Sequence, residues 1–314
     1  GLADNMLTTT ALACRSPLLL APAMESGMWD NPVTLANIDL LKRRGACAIG
    51  PESGRLASGG HGYGRMSEPA VILDAACWVL GRRGSLAGTA VVVTAGGTRE
   101  AIDPVRFVGN RSSGKMGFAL AAAARDRGAE VTLIHGPVAL QAPYGVKAVA
   151  VESCAAMQSA VLESISGADA LVMAAAVADY RPEAAASQKI KKHAAGLALN
   201  LVRTPDILSA VAERRAAGAR LRAVIGFAAE TRDVLENARE KLARKKLELI
   251  VANDVSADDS GFEVDTNRVT LLDAAGGAQV LPLMPKPAVA DRIMDRLAAM
   301  LGNRPAVDAA EKDG

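Results

Sequence analysis

The chain has 314 residues, of which 50% are hydrophobic, 22% charged and 3% aromatic, with a formal net charge of +2. That much apolar content excludes an intrinsically disordered chain, the balanced charge argues against a polyanion-coating protein, and so few aromatics leave no stacking platform for single-stranded nucleic acid. At about 100–200 residues per domain, two domains is the natural division.

In chain order, compact apolar runs at residues 17–21, 46–50, 89–94, 130–134, 168–174, 223–226, 249–252 and 269–272 read as short buried strands. Between them, residues 33–44, 70–80, 117–127, 155–164, 205–214, 233–246 and 286–301 carry amphipathic helical patterns. This alternation predicts an α/β protein with parallel sheets covered on both faces. Residues 80–88, LGRRGSLAG, interrupt the alternation and mark a boundary, giving domains 1–84 and 85–302 and a flexible tail 303–314. Arg82 and Arg83 read as a solvated linker, Trp29 and Trp78 as core residues, and His193 as a surface residue. The longest strongly apolar run, 168–178, is shorter than the ~20 residues of a membrane-spanning helix, so no membrane partner is expected. Cys14, Cys47, Cys77 and Cys154 show no C-x-x-C spacing and read as buried, reduced thiols of a cytoplasmic protein. No metal-ligand pattern is legible. The opening Gly1-Leu2-Ala3-Asp4-Asn5 reads as the interior of a longer protein.

Three segments carry chemistry. The strand at 89–94 runs into Ala95-Gly96-Gly97-Thr98, either a ligand-approach turn at a sheet's carboxyl edge or a plain tight turn. Asn110-Arg111-Ser112-Ser113-Gly114-Lys115-Met116-Gly117 leads into a helix and supplies hydroxyls, amides and a positive dipole end for an anion. The bland alternative is a capped helix with a solvated lysine, and the spacing is not that of a Walker A loop. Asp179 closes the apolar run AAAVADY, Lys189-Ile190-Lys191-Lys192 follows, and Lys241 and Lys245 share one helical face. Such lysines either converge on a triphosphate or decorate a solvated helix on which Glu240 pairs with Arg244.

Residues 94–117, TAGGTREAIDPVRFVGNRSSGKMG, resemble the signature of phosphopantothenate–cysteine ligases of coenzyme A biosynthesis. AAAVADY, KIKK, Thr204-Pro205-Asp206-Ile207-Leu208, Gly226-Phe227-Ala228-Ala229-Glu230-Thr231 and Ala252-Asn253-Asp254 follow in family order. The resemblance implies a Rossmann-like ligase domain. It also implies CTP contacts by Met173, Ala174, Ala175, Asp179, Lys189, Pro205, Asp206, Ile207, Leu208, Phe227, Lys241 and Lys245, with Mg²⁺ accompanying the nucleotide. Asn110 and Lys189 would be catalytic, and Ser112, Ser113, Gly114 and Lys115 would hold substrate. The implied reaction transfers CMP from CTP to 4′-phosphopantothenate, after which the cysteine amine displaces CMP.

Residues 22–29, PAMESGMW, and the glycine-rich stretch 50–66 resemble the flavin-dependent decarboxylase usually fused ahead of that ligase. The resemblance implies a flavodoxin-like domain of which residues 1–84 are the C-terminal part, with substrate contacts from Glu25, Met28 and Arg65. Two departures stand out. Glu25 replaces the family Asn that holds the substrate carboxylate, and Ser58 replaces the acidic Cys, so FMN-dependent decarboxylation by residues 1–84 is in doubt. A homodimer through the ligase domain is expected, and a larger homo-oligomer with a full decarboxylase domain. Two other readings are kept. One is an NAD(P)-binding Rossmann oxidoreductase, which the missing G-x-G-x-x-G disfavours; the other is a non-catalytic assembly subunit.

Overall fold

The computed structural model describes residues 2–191, 197–230, 234–254 and 264–302. The expectations placed on Lys192, His193, Thr231, Asp233 and the 303–314 tail fall outside these residues. The chain divides into two compact units, Gly1–Arg82 and Arg83–Gly314.

The first unit opens with α1 (Met6–Ala13), a helix with no counterpart in the sequence pattern because its three threonines are weak helix formers. A capping box starts it: the Asn5 side chain accepts from the Thr8 amide at 3.0 Å, and Thr8 Oγ1 accepts from the Asn5 amide at 3.2 Å. Strands β1 (Leu19–Leu20) and β2 (Cys47–Ala48) pair in parallel, shorter than the apolar runs that contain them. Between them lie α2 (Ser26–Trp29) and α3 (Pro32–Arg43), the latter capped by Asn31 accepting from the Val33 amide at 2.9 Å. The glycine-rich stretch is a hairpin of β3 (Glu52–Arg55) and β4 (His61–Arg65), followed by α4 (Pro69–Gly81). Trp29 and Trp78 are half-buried rather than core, and the exposed Arg82 guanidinium lies 3.9 Å from the centroid of the Trp78 ring. Among the cysteines only Cys154 is buried; Cys47 and Cys77 are half-buried and Cys14 is exposed, so burial of all four is corrected. Burial pushes the Cys154 thiol pKa up.

The second unit is built on an eight-stranded sheet. In chain order its elements are β5 (Ala90–Ala95), β6 (Arg99–Ala101), β7 (Phe107–Gly109), α5 (Lys115–Arg125), β8 (Glu130–His135), β9 (Lys147–Ala150), α6 (Cys154–Ser164) and β10 (Ala170–Met173). They continue with β11 (Tyr180–Pro182), β12 (Leu201–Arg203), α7 (Ile207–Ala216), β13 (Ala223–Glu230), α8 (Val234–Arg244) and β14 (Leu249–Asp254). The last are β15 (Thr266–Asn267), β16 (Val269–Asp273), β17 (Ala278–Val280), β18 (Met284–Pro285) and α9 (Lys286–Met300). The sheet order is β17-β16-β14-β13-β10-β5-β8-β9. The six strands from β14 to β9 are parallel, whereas β16 and β17 are antiparallel additions at one edge. That edge corrects the all-parallel expectation. A turn closed by the Asp273 carboxylate, accepting from the Ala275 and Gly277 amides at 3.1 and 2.8 Å, is too short to join parallel strands.

Alternate strand residues feed two cores, one on each face. Val91, Val93 and Ala95 pack with Phe118 and Leu120 of α5 and Val289, Ile293 and Leu297 of α9. Val92, Leu171 and Ile250 pack with Met157 of α6, Ile207 and Val211 of α7 and Ala238 of α8. Strands buried on both faces explain their unbroken apolar runs. Arg127 ties the end of α5 to α9 through Asp291 and Asp295, both at 2.8 Å. The start of α5 is set by Gly117, where a Cβ would meet Ala95 Cβ at 2.4 Å. The helix therefore enters directly over the carboxyl end of β5. Among the described residues no helix is long and apolar enough to cross a membrane.

Candidate functional site

A cavity of about 940 Å³ runs across the carboxyl edge of the sheet, where open α/β sheets bind ligands. It draws its walls from both faces. From the α5/α9 face come Asn110–Gly117, Asn267 and Lys286; from the α7/α8 face come Pro205–Leu208, Lys241, Arg244 and Lys245; Met173–Val177, Phe227 and Asn253 form the floor.

The floor is held by short hydrogen bonds from small polar side chains. Thr94 Oγ1 accepts from the Ala175 amide at 3.1 Å and Thr98 Oγ1 from the Ala178 amide at 2.9 Å. Asn110 Nδ2 donates to the carbonyls of Ala176 and Val177 at 3.2 and 3.1 Å, which fixes this side chain over the end of β10. Gly96-Gly97 is packed tightly against neighbouring backbone. A Cβ on Gly97 would meet the Asn110 carbonyl at 2.8 Å, and one on Gly136 would meet the Gly97 carbonyl at 2.1 Å. Gly114, the N-cap of α5, has φ 80°, a left-handed geometry that glycine adopts without a steric cost.

On the α7/α8 face, Asp206 caps α7 by accepting from the Ser209 amide at 3.0 Å. Lys245 bonds to the Asp206 carboxylate and to Ser209 Oγ, the latter at 2.8 Å. Burial raises the Asp206 pKa, but Lys245 and the Ser209 amide outweigh it and hold the carboxyl below its usual value. Lys241 Nζ donates to the Phe227 carbonyl at 2.8 Å. The i, i+4 spacing thus aims both lysines at the cavity rather than at solvent, while Arg244 also pairs with Glu240 at 3.6 Å. On the α5/α9 face, Lys115 Nζ lies 2.7 Å from Asp265 Oδ1, and Lys286 Nζ donates to the Val264 carbonyl at 2.5 Å.

Of the expected second-unit site residues, every one lines the cavity except Lys189. Lys189 is exposed, and its neighbour Ile190 is clamped instead. The Asp103 carboxylate accepts from the Ile190 amide at 3.1 Å, and Arg106 donates to the Ile190 carbonyl at 2.7 Å. Asp103 is buried, and the Arg106 guanidinium holds its carboxyl well below the usual range. The clamp bonds the lysine-bearing segment to the β6–β7 hairpin.

In the first unit, the PAMESGMW segment and the hairpin meet. Ser26 Oγ donates to the Tyr63 carbonyl at 2.6 Å, the Met24 amide donates to the Gly64 carbonyl at 2.9 Å, and the Ser58 amide donates to Glu25 Oε1 at 3.3 Å. Glu25 and Ser58 are therefore neighbours. Arg65 pairs with Glu68, and Met28 is 59% exposed.

Sequence reasoning passed over Lys286, Asn267 and Arg203, all of which line the cavity. For Lys286 a signal exists: it opens a helix, where a cation opposes the macrodipole. Among the described residues no group of three or more His, Cys, Asp or Glu side chains is placed to hold a metal ion.

The mostly parallel sheet and the two-sided, lysine-bearing cavity at its carboxyl edge define an α/β protein with its ligand cleft at the strand ends. Residues 86–301 match the DNA/pantothenate metabolism flavoprotein C-terminal domain, and residues 1–81 match the Flavoprotein family. The coenzyme A biosynthesis bifunctional protein CoaBC of Bacillus subtilis (strain 168) is 46% identical over 96% of the chain and 74% of its own length. The same-named protein of Mycobacterium tuberculosis (strain ATCC 25618 / H37Rv) is 46% identical over 96% of the chain and 75% of its own length. A crystal structure of the C-terminal domain of CoaBC is 41% identical, with TM-score 0.59, over 70% of this chain and all of that one. The Streptococcus pneumoniae DNA/pantothenate metabolism flavoprotein, 24% identical with TM-score 0.58 over 68% of this chain and 99% of that one, shares the fold. The chain belongs to the family of bifunctional coenzyme A biosynthesis proteins, with a flavoprotein region followed by the pantothenate-metabolism domain.

Proposed function

We propose that the second unit ligates cysteine to 4′-phosphopantothenate at the expense of CTP. The observation that carries this is one cavity with lysines on both faces of the sheet and Asn110 fixed between them. The Lys241/Lys245 wall suits the triphosphate, with the floor amides and carbonyls of Met173–Ala175 and Pro205–Leu208 around the base. The acid's carboxylate attacks the α-phosphorus of CTP and pyrophosphate leaves. The cysteine amine then attacks the acyl carbon and CMP leaves, closing the amide. Asn110 Nδ2 would release the Ala176 or Val177 carbonyl, which take both of its hydrogens here, to donate to the oxygen that gains charge in the second step.

A divalent cation arriving with the triphosphate would take mainly phosphate oxygens and water. Asp179 is the carboxylate on the cavity wall that fits it, since Asp206 is already paired with Lys245. The ion would supply charge neutralisation on the leaving pyrophosphate. Lys189 would reach the nucleotide only if its segment closes over the cavity.

For the first unit the same reading is decarboxylation of the ligation product, with FMN supplying the electron acceptor when bound. Glu25, which accepts from the Ser58 amide, stands where the family's Asn holds the substrate carboxylate, and its own negative charge does not fit that role, so no step is derived through the flavin. We also infer a cytoplasmic homodimer through the ligase domain.

The test is pyrophosphate release from CTP, Mg²⁺, 4′-phosphopantothenate and cysteine. Release that requires CTP and falls in Lys245→Ala at CTP concentrations below the raised KM supports the ligase. No release from folded protein overturns it and favours a non-catalytic assembly subunit.

A further inference from the structure

Two carboxylates line the cavity near the nucleotide wall, and they are placed by different means. Asp206 is bonded through its side chain to Lys245, whereas the Asp179 carboxylate has no hydrogen bond or ion pair among the described residues. Where Asp179 stands is therefore decided by its main chain, and two threonines decide that main chain. Thr98, directly before β6, accepts from the Ala178 amide through Oγ1 at 2.9 Å. Thr204, directly after β12, donates through Oγ1 to the Ala178 carbonyl at 2.6 Å, and its amide donates to the Asp179 carbonyl at 3.0 Å. Ala178 is buried, so without these hydroxyls its amide and carbonyl would stand unpaired away from water.

Both threonines are themselves anchored. The Thr98 amide donates to the Ala176 carbonyl at 3.4 Å and the Arg99 amide to the Glu152 carbonyl at 2.8 Å. The buried Glu100 carboxylate accepts from the Cys154 amide at 2.7 Å, and Cys154 Sγ donates to the Pro205 carbonyl at 3.4 Å, beside Thr204. Residues 98–100 thus hold the floor and the start of the nucleotide wall together. Thr204 lines the cavity, but Thr98 does not and is only 1% exposed, so Thr98 can act on a ligand only through the floor.

Resting on the ligase reading, we propose that Thr98 is a positioning residue. Its hydroxyl, with that of Thr204, fixes the Ala178–Asp179 peptide and so places the Asp179 carboxylate for the divalent cation that arrives with CTP. A carboxylate is a fitting ligand for such a hard cation.

The experiment uses the full chain and compares wild type with Thr98→Val, which keeps the shape and removes the acceptor, and with Thr98→Ser, which restores it. Calorimetry gives the Kd for CTP with Mg²⁺ and with chelator, in the absence of the acid so that no turnover occurs. Thr98→Val is expected to raise the Kd for CTP about 10-fold with Mg²⁺ and less than about twofold with chelator. Thr98→Ser should stay within about twofold of wild type in both. In an Asp179→Ala background, Thr98→Val should add less than about twofold, because the group it places is gone. In turnover, Thr98→Val should raise KM for CTP and leave KM for 4′-phosphopantothenate unchanged. Thr204→Val decides the matter by the same comparisons if Thr98→Val does not fold. Additive losses with Asp179→Ala, an equal loss with chelator, Thr98→Ser as weak as Thr98→Val, or no change overturns the proposal. If wild type binds CTP with Mg²⁺ but releases no pyrophosphate, and Thr98→Val shows the expected loss, the ligase reading fails and the positioning role stands. Wild type that binds no CTP overturns both.

Discussion

The two walls of the cavity solve the same problem differently. On the α7/α8 face the lysines are held by Asp206 and Ser209 at the start of α7 and by the Phe227 carbonyl on β13. On the α5/α9 face Lys115 and Lys286 come from distant parts of the chain, and an exposed Asp265 is the carboxylate beside them. The first wall is set by bonds that join α8 and the turn after it to α7 and β13. The second is assembled only when α9 packs on α5 and Arg127 joins them. The comparison teaches that equal charge does not mean equal preparation. One wall is bonded among elements that follow one another along the chain, while the other brings together the two ends of the second unit.

The sharpest way to break the comparison is through Asn110, whose side chain is bonded to the floor between the walls. Asn110→Ala is expected to cut turnover by about 10²–10³-fold with both KM values little changed. Chromatography of quenched reactions should then find the acyl-nucleotide accumulating; its absence would place Asn110 in the first step or outside the chemistry. Next, Lys245→Ala should raise KM for CTP by about 10- to 100-fold and leave that for the acid unchanged. A shared effect on both substrates would mean that the walls are not separate.

Stability separates them too. Gly117→Ala puts a Cβ against Ala95 and the Thr94 carbonyl, at 2.4 and 2.8 Å. A cost of about 1–3 kcal/mol in denaturant unfolding is expected, with affinity lost at the α5/α9 wall and kept at the other. The smallest effect concerns the Ile190 clamp. Asp103 has a lowered pKa in the folded protein, so its stabilising contribution is present above the unfolded value of about 3.9 and is lost as pH falls through the folded value. Wild-type thermal stability should therefore drop below about pH 4. Asp103→Asn should start lower at neutral pH and lose less on acidification. Parallel pH curves for the two proteins would remove Asp103 from this role.

The central strands were legible because a strand buried on both faces must be apolar at every position, as at 89–94 and 249–252. The glycine-rich segments were legible as special but not as to purpose. Gly96-Gly97 is forced by a carbonyl 2.8 Å from where a Cβ on Gly97 would stand, a contact made by residues outside the turn. The antiparallel edge was hidden because β16 has the same apolar composition as its parallel neighbours, and direction is set by the connection. The hairpins β6–β7 and β11–β12 escaped notice because three-residue strands leave too short an alternation to read.

By itself, the sequence determined the α/β class, the helix and strand periods, the family motifs and most of the cavity's residues, since each is a local pattern of side-chain chemistry. Only the tertiary structure decided that Lys286 joins Lys115, that Lys189 stands outside the cavity lining behind an Asp103–Arg106 clamp, and that Glu25 meets Ser58. Those facts depend on which distant backbones pack together, and packing is fixed by the whole set of buried surfaces rather than by any one segment.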